Sequence, residues 1–337
     1  LGMMLPEEFG GLGLPTTTYI VALEEIAASD ASIAVAMSVH NSLPTQMLLR
    51  WGTDAQKERF LSPMARGELL GAFALSEPEA GSDAASLTTQ AVRDGDCWVL
   101  NGTKAWVTSG SEADVIIVMA RTDKPTDRRG ARGISAFVVT PDLPGFRVGK
   151  KEDKMGLRAS PTVQLELVDC RVPADNLLGR EGAGFTMAMQ SLDNGRLGIA
   201  AQAIGIARCA LEHATTYAGE RRQFGKPIKE FEAIQFKLAD MATRIAAARA
   251  LLYQAAAAKD RGEQITQYSS MSKLFASETA MWVTTQAIQI FGGYGYVKEY
   301  PVERLFRDAK VSEIYEGTSE IQRIVIAREL YSHSPTR

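Results

Sequence analysis

Seven apolar residues, Ile234, Leu238, Met241, Ile245, Ala248, Leu252 and Ala255, step along the chain by 4, 3, 4, 3, 4 and 3. That spacing keeps them on one narrow face of an α-helix, and so narrow a seam is satisfied by helix packed on helix, as in a bundle or an oligomer core. Alanine-rich stretches at 198–207 and 246–258 allow helices to approach closely. The whole span from about 182 to 332 therefore reads as helical. A second helical zone runs from about Thr16 to Gly67. There Leu23, Ile26 and Ala27 recur at three- and four-residue spacing, and Thr53-Asp54 caps a segment running to Arg66. The Gly-rich opening, Pro6 to Gly13, reads as loop.

Between these zones, from about 71 to 175, the period changes. Val115 to Met119 and Ala136-Phe137-Val138-Val139 are short apolar runs of the kind a buried strand shows. Val163, Leu165 and Leu167 alternate with Thr162, Gln164 and Glu166, as a strand with one buried face requires. Asn101-Gly102, set between Cys97–Leu100 and Ala105–Val107, predicts a hairpin turn. Short strands without long helices between them suggest a barrel or sandwich rather than a parallel sheet. The expected order is helix, barrel, helix: an α+β multidomain chain with an N-terminal helical domain (1–70), a middle β-barrel-like domain (71–175) and a C-terminal four-helix bundle (176–337). The 337 residues suit two or three domains at about 150 residues each.

Composition narrows the chemistry. Thirty-seven Lys and Arg against 40 Asp and Glu leave a net charge of −3, far from the basic profile of a dedicated nucleic-acid binder. Cys97, Cys170 and Cys209 are widely spaced, form no CxxC pair and cannot make a disulfide framework; a reducing compartment fits them. His40, His213 and His333 lack metal-ligand spacing, and so few histidines argue against a Ser/His/Asp grouping. No apolar run of about 18 residues suggests a membrane span. No metal, nucleic-acid or membrane function is expected.

Four segments offer chemistry, and each alone has an ordinary structural reading beside it. Ser76-Glu77-Pro78-Glu79-Ala80-Gly81-Ser82-Asp83 is a turn after a strand, or a cradle of backbone amides and a hydroxyl for an anion or cofactor. Trp106-Val107-Thr108-Ser109-Gly110 sets an indole beside a hydroxyl at a strand end, where a core tryptophan is equally at home. Gln289-Ile290-Phe291-Gly292-Gly293-Tyr294-Gly295-Tyr296 ends a helix in glycines but is no GxGxxG fingerprint. Ile314-Tyr315-Glu316-Gly317-Thr318-Ser319-Glu320 puts a carboxylate in a loop before a helix, as a cap or as a base.

In this order and at these intervals, the four segments resemble the acyl-CoA dehydrogenase family along essentially the whole chain. Pro6-Glu7-Glu8-Phe9-Gly10-Gly11, Asn101 to Thr108, Lys154-Met155-Gly156-Leu157-Arg158 and Arg221-Arg222-Gln223-Phe224-Gly225-Lys226 add to the likeness. The resemblance implies FAD as cofactor, bound between barrel and bundle with help from a neighbouring protomer. It implies that Phe73, Leu75, Ser76, Gly81, Ser82, Trp106, Val107 and Thr108 line the flavin. It assigns Arg221, Gln223, Phe224, Gln289, Gly292 and Gly293 to the adenosine and pyrophosphate of FAD in the adjacent subunit, and has Thr318 and Glu320 touch FAD as well. Ser82, Asp193, Arg196, Tyr315, Gly317 and Arg328 would bind the acyl-CoA substrate.

The chemistry so implied is α,β-dehydrogenation of an acyl-CoA thioester to the trans-2-enoyl-CoA. Glu316 would take the weakly acidic α-proton while fixed donors, its own backbone N–H among them, stabilise the carbonyl oxygen. The hydride would go to flavin N5, and the electrons onward to an electron-transfer flavoprotein. Burial of Glu316 should raise its pKa toward working pH. Gly195, just before Arg196, closes the alternative base position used by some relatives, and glutamate rather than aspartate at 316 argues against nitroalkane chemistry. An acyl-CoA oxidase using O2, or a non-catalytic oligomeric scaffold keeping the fold, are the other readings. The resemblance further suggests a homotetramer as a dimer of dimers, a role in fatty acid or amino acid catabolism, and a cytoplasmic or mitochondrial-matrix location. Tyr294, Gly295 and the Glu316–Gln322 ending look more like short-chain or branched-chain members. Two departures stand out. Glu232 occupies a position where many relatives have Gln, and Leu1 begins after the point where relatives carry a further helix pair, so that the N-terminal helical domain reads as incomplete.

Overall fold

The computed structural model describes residues 1–123 and 130–332, leaving His333 outside the described residues. In chain order the helices are α1 (Thr16–Ser29), α2 (Ala31–Ser42), α3 (Pro44–Trp51), α4 (Asp54–Gln56), a π turn (Lys57–Leu61), α5 (Ser62–Arg66), α6 (Gly184–Glu220), α7 (Glu232–Asp260), α8 (Thr266–Phe291), α9 (Val302–Lys310) and α10 (Ser319–Ser332). The strands are β1 (Gly71–Ala74), β2 (Gln90–Asp94), β3 (Cys97–Thr108), β4 (Val115–Arg121), β5 (Ile134–Val139), β6 (Phe146–Lys151), β7 (Thr162–Pro173) and β8 (Leu177–Leu178), with a small β9–β10 hairpin (Arg222–Gln223, Lys226–Pro227). The helix, β, helix order expected from the sequence is what the chain adopts. Two compact units interleave along it: Leu1–Pro15, Ala36–Asp153 and Ala159–Gly195 make one, and Thr16–Val35, Lys154–Arg158 and Arg196–Arg337 the other.

The first unit is built on one sheet of order β6-β7-β3-β2-β4-β5-β8, with β1 added parallel to β4. Strands β4 and β5 are buried at every position, as their unbroken apolar runs require. Ile116, Val118, Phe137 and Val139 enter a core with Trp98, Leu100, Val163, Leu165 and Leu167. Val115, Ile117, Met119 and Val138 join a second core with Met47, Leu48, Phe60, Leu61 and Met64. Thr53 caps the helical segment through a reciprocal box with Gln56, whose side-chain amide also donates to the Asp175 and Leu177 carbonyls.

Asn101-Gly102 is not a turn. It lies inside the continuous strand β3, at a register shift against β7, and the two-residue turn falls at Gly95-Asp96 between the paired residues Asp94 and Cys97. Asn101 spends its side chain across the strand pair, accepting from the Asp169 N–H (2.8 Å) and donating to the Asp169 carboxylate (3.1 Å). Gly102 is required because a Cβ there would stand 2.4 Å from the Thr89 hydroxyl. A bulge, which also favours glycine, had the sequence signature of a hairpin.

In the second unit, α7, α9 and α10 pack on α8, and α1 packs on α7. The apolar seam of α7 is buried from Met241 onward, at Ile245, Ala248, Leu252 and Ala255, whereas Ile234 and Leu238 are only half-buried. Glu24 of α1, 3% exposed, receives Arg249 of α7 through two bonds of 2.6 and 3.2 Å. Gln202 of α6 donates to the Ala31 carbonyl at 2.7 Å.

Candidate active site

The turn before α10 is assembled from two consecutive residues in the left-handed region, Glu316 at φ 51° and Gly317 at φ 94°. A non-glycine residue held there is strained, and such strain persists where the surroundings impose it. Here the surroundings are specific. Gln322, fully buried, donates from Nε2 to the carbonyls of Glu316 (3.2 Å) and Gly317 (2.9 Å). Lys273 of α8, also fully buried, donates from Nζ to the Gly317 carbonyl at 2.7 Å. A Cβ at 317 would meet Gln322 Nε2 at 2.7 Å, so both the φ and the space call for glycine. Thr318 accepts the Ile321 N–H at 3.3 Å and so opens α10. Tyr315 donates its hydroxyl to Gln202 Oε1, tying the turn to α6.

The result is a carboxyl with its chemistry unspent. Both Glu316 oxygens are buried and, among the described residues, have no hydrogen-bond partner. Burial pushes this carboxyl up to about 7, against the opposing positive charges of Lys273 and Arg196. Arg196 itself is 5% exposed on α6 and donates to the Ser270 hydroxyl at 3.2 Å. A buried carboxyl held near neutrality is suited to taking a proton from carbon.

A second group of predicted residues gathers in the other unit, at the ends of β1 and β3. The ladder between β3 and β7 slips between Lys104 and Val107, and the bulge turns Trp106 outward at φ 61°, where it is 63% exposed. Val107 points instead into the core, 1% exposed, while Thr108 is half-buried and pairs with Thr162. Phe73, Leu75 and Ser76 are half-buried along β1 and just beyond it; Gly81 and Ser82 are exposed, and a Cβ on Gly81 would touch nothing. The segment is fixed from beneath. Ala105 N–H donates to Ser76 O (2.9 Å), and the buried Lys104 donates to Leu75 O (3.1 Å) and to Glu77 (2.7 Å). Glu77 also accepts from both Thr88 N–H and Thr89 N–H. Burial opposes its ionisation, but the Lys104 charge and these bonds prevail and hold it at about 2.

A third group surrounds a cavity of about 470 Å³ that includes Arg221, Gln223, Phe291, Gly292, Gly293 and Tyr294. The Arg221 guanidinium lies 5.5 Å from the Tyr294 ring centre, and Cβ atoms on Gly292 and Gly293 would meet nothing within 4 Å. A guanidinium and open glycine backbone lining one cavity suit a phosphate, and the Tyr294 ring suits an aromatic base. Phe224 (φ 51°, 93% exposed) and the exposed Gln289 do not line this cavity. Asp193 is half-buried on α6, Glu320 is exposed, and the exposed Arg328 lies 3.7 Å from Glu329 on α10. No group of three potential metal ligands occurs among the described residues, and no helix among them is long and apolar enough to cross a membrane.

Sequence reasoning passed over Lys273 and Gln322. A lone lysine within Ser269-Ser270-Met271-Ser272-Lys273 was the available signal, since a helix face otherwise made of small buried residues does not take an ammonium without a partner.

A strained, dry carboxyl together with cradles for a phosphate-bearing aromatic cofactor defines a class, the cofactor-dependent oxidoreductase that removes a proton from carbon. Residues 1–68, 72–170 and 182–331 match the N-terminal, middle and C-terminal domains of acyl-CoA dehydrogenase. The short-chain specific acyl-CoA dehydrogenase of Rattus norvegicus mitochondria is 52% identical over 330 residues, 98% of this chain and 79% of that protein. The butyryl-CoA dehydrogenase structure from Megasphaera elsdenii superposes with a TM-score of 0.95 at 49% identity, covering 98% of this chain and 86% of that one. A chain from the structure described as the electron transferring flavoprotein of Acidaminococcus fermentans gives 0.95 at 50%, with the same coverage. This chain belongs to the acyl-CoA dehydrogenase family. It is a flavoprotein oxidoreductase of that family with FAD as its cofactor, acting on CH–CH bonds. The cavity at Arg221 fits such a group.

Proposed function

We propose that this chain dehydrogenates a short-chain acyl-CoA, with Glu316 as the base that removes the α-proton. The unpartnered, buried Glu316 carboxyl carries the reading. In its ionised form it accepts the proton and becomes neutral, the state that its dry surroundings favour. The Glu316 backbone N–H, in a turn held through its carbonyls by Gln322 and Lys273, is assigned as a donor to the thioester oxygen. Tyr315 and Gly317 flank that oxygen, and Ser82, Asp193, Arg196 and Arg328 are assigned to the rest of the acyl-CoA. FAD, when bound, supplies the hydride acceptor. Phe73, Leu75, Ser76, Gly81, Ser82, Trp106, Val107 (through its backbone) and Thr108 are assigned to the flavin, and Arg221, Gln223, Phe224, Gln289, Gly292, Gly293, Thr318 and Glu320 to the rest of FAD.

The short-chain and butyryl-CoA dehydrogenases among its relatives favour a short-chain acyl-CoA substrate. The likeness to a chain solved with an electron transferring flavoprotein favours such a protein as electron acceptor. Domain limits of 1–70, 71–175 and 176–337 remain our functional partition, supported by the matched segments, with a dimer of dimers as the working assembly. The proposed setting is the cytoplasm, or the mitochondrial matrix of a eukaryote. The test is anaerobic bleaching of the protein's flavin absorption by acyl-CoAs from C4 to C16. Rates should peak at the short end, and Glu316→Gln should keep FAD yet fail to bleach. Undiminished bleaching by that variant would refute the base assignment.

A further inference from the structure

The buried face of α8 holds an ammonium that the proposed chemistry does not yet use. Lys273 is fully buried, and it donates to a backbone carbonyl. That carbonyl belongs to Gly317, the residue immediately after Glu316. A buried lysine is costly unless it is paired, so its retention beneath this turn asks for a reason. Gln322, reaching the same carbonyl at 2.9 Å and that of Glu316 at 3.2 Å, already supplies neutral donors. What Lys273 adds is a charge.

We propose that Lys273 is a positioning residue for the dehydrogenation: its ammonium anchors the Glu316–Gly317 turn through the Gly317 carbonyl and supplies positive potential that keeps the Glu316 carboxylate available as base. This rests on the reading of Glu316 as the base. The charged groups that act on this position come from each neighbouring element: Glu316 from the turn, Arg196 from α6, Glu313 from the 3₁₀ turn at Val311–Glu313, and Glu320 from α10. Arg196 adds a second positive charge from α6, where it donates to the Ser270 hydroxyl. With Lys273 neutralised, the carboxyl loses a nearby cation and its proton affinity rises. With the tether cut as well, the strained φ of Glu316 is less firmly imposed.

The experiment uses the FAD-loaded protein with Lys273→Met, Lys273→Arg and Glu316→Gln. Turnover is measured across pH, and the Glu316 carboxyl is titrated by difference infrared spectroscopy, its band identified by loss in Glu316→Gln. Lys273→Met should lower kcat about 100-fold, in line with the cost of small misplacements at a reacting centre, with KM within about threefold. Its acid limb and its carboxyl titration should both move up by about one pH unit. Lys273→Arg, which keeps the charge and the donor, should recover most of both. Unchanged kcat and titration in Lys273→Met would overturn the proposal, and so would lost turnover with an unmoved carboxyl titration, which marks a merely structural role. If Lys273→Met does not fold, Lys273→Gln keeps a donor without a charge and should still raise the titration; an unmoved titration there overturns the proposal. Bleaching that survives in Glu316→Gln would instead refute the base reading itself, which keeps the two failures apart.

Discussion

The Lys104 ammonium stands 2.7 Å from the Glu77 carboxylate, with the two side chains 0% and 5% exposed. The pair underpins the Leu75–Ser76 segment assigned to the flavin, since the same ammonium also holds the Leu75 carbonyl. Removing one partner strands the other in the interior, so Lys104→Met or Glu77→Leu should each cost about 3–5 kcal/mol, and the double replacement markedly less. Denaturant unfolding of the three variants checks this. Because the Glu77 carboxyl is held down at about 2 in the folded chain, its contribution is present above about pH 4.5 and is lost as pH falls through about 2.

His40 is fully buried and neutral. Its Nδ1 accepts the Gly71 N–H at 3.0 Å, which leaves Nε2 to donate to the Met64 carbonyl at 3.2 Å. Burial lowers its pKa to about 4, so the unfolded chain binds this proton first as pH falls. Stability should therefore decline from about pH 6.5 down to about pH 4, by about 3 kcal/mol in all. His40→Gln should remove this dependence, read as the difference between the two unfolding curves across that range.

The raised pKa of Glu316 bears on activity rather than on stability. The carboxylate is the active form, so the bleaching rate by acyl-CoA should climb about tenfold per pH unit toward about pH 7 and then level. Stopped-flow bleaching from pH 5 to 8 measures the limb. A limb near the ordinary glutamate range would show that the bound state wets the carboxyl.

Arg221→Leu removes the guanidinium from the 470 Å³ cavity without touching the Glu316 turn. FAD should bind about 10- to 100-fold more weakly, the worth of a hydrogen bond to a charged group. Substrate turnover at saturating FAD should change little. Fluorescence titration with FAD gives the first quantity and steady-state kinetics the second.

Periodicity revealed what depends on burial alone. The α7 seam was legible from Met241 to Ala255 because those residues meet another helix, and β4 and β5 because they are covered on both faces. Ile234 and Leu238 continue the pattern but stay half-buried, since spacing alone does not say how far a seam is covered. Asn101-Gly102 misled because a bulge and a turn both recruit these residues. In the site, Glu316 and Trp106 were legible as motif members, but the strained φ each adopts is imposed by tertiary partners. Lys273 lies 43 residues before Glu316, and no local pattern joins a helix lysine to the carbonyl it will hold.

The interleaving of the two units also sets a timetable for synthesis. Glu24 must wait for Arg249, 225 residues later in the chain. At about 5–20 residues per second, α1 spends about 10–45 s outside the ribosome before its partner exists. Until α6 brings Gly205 and Arg208 against it, its inward face, Tyr19, Ile20, Leu23 and Ala27, stands open beside an acid made for burial. A nascent chain stalled before α6 should be a client for chaperones, and the same helix should become protected only after release of the full polypeptide.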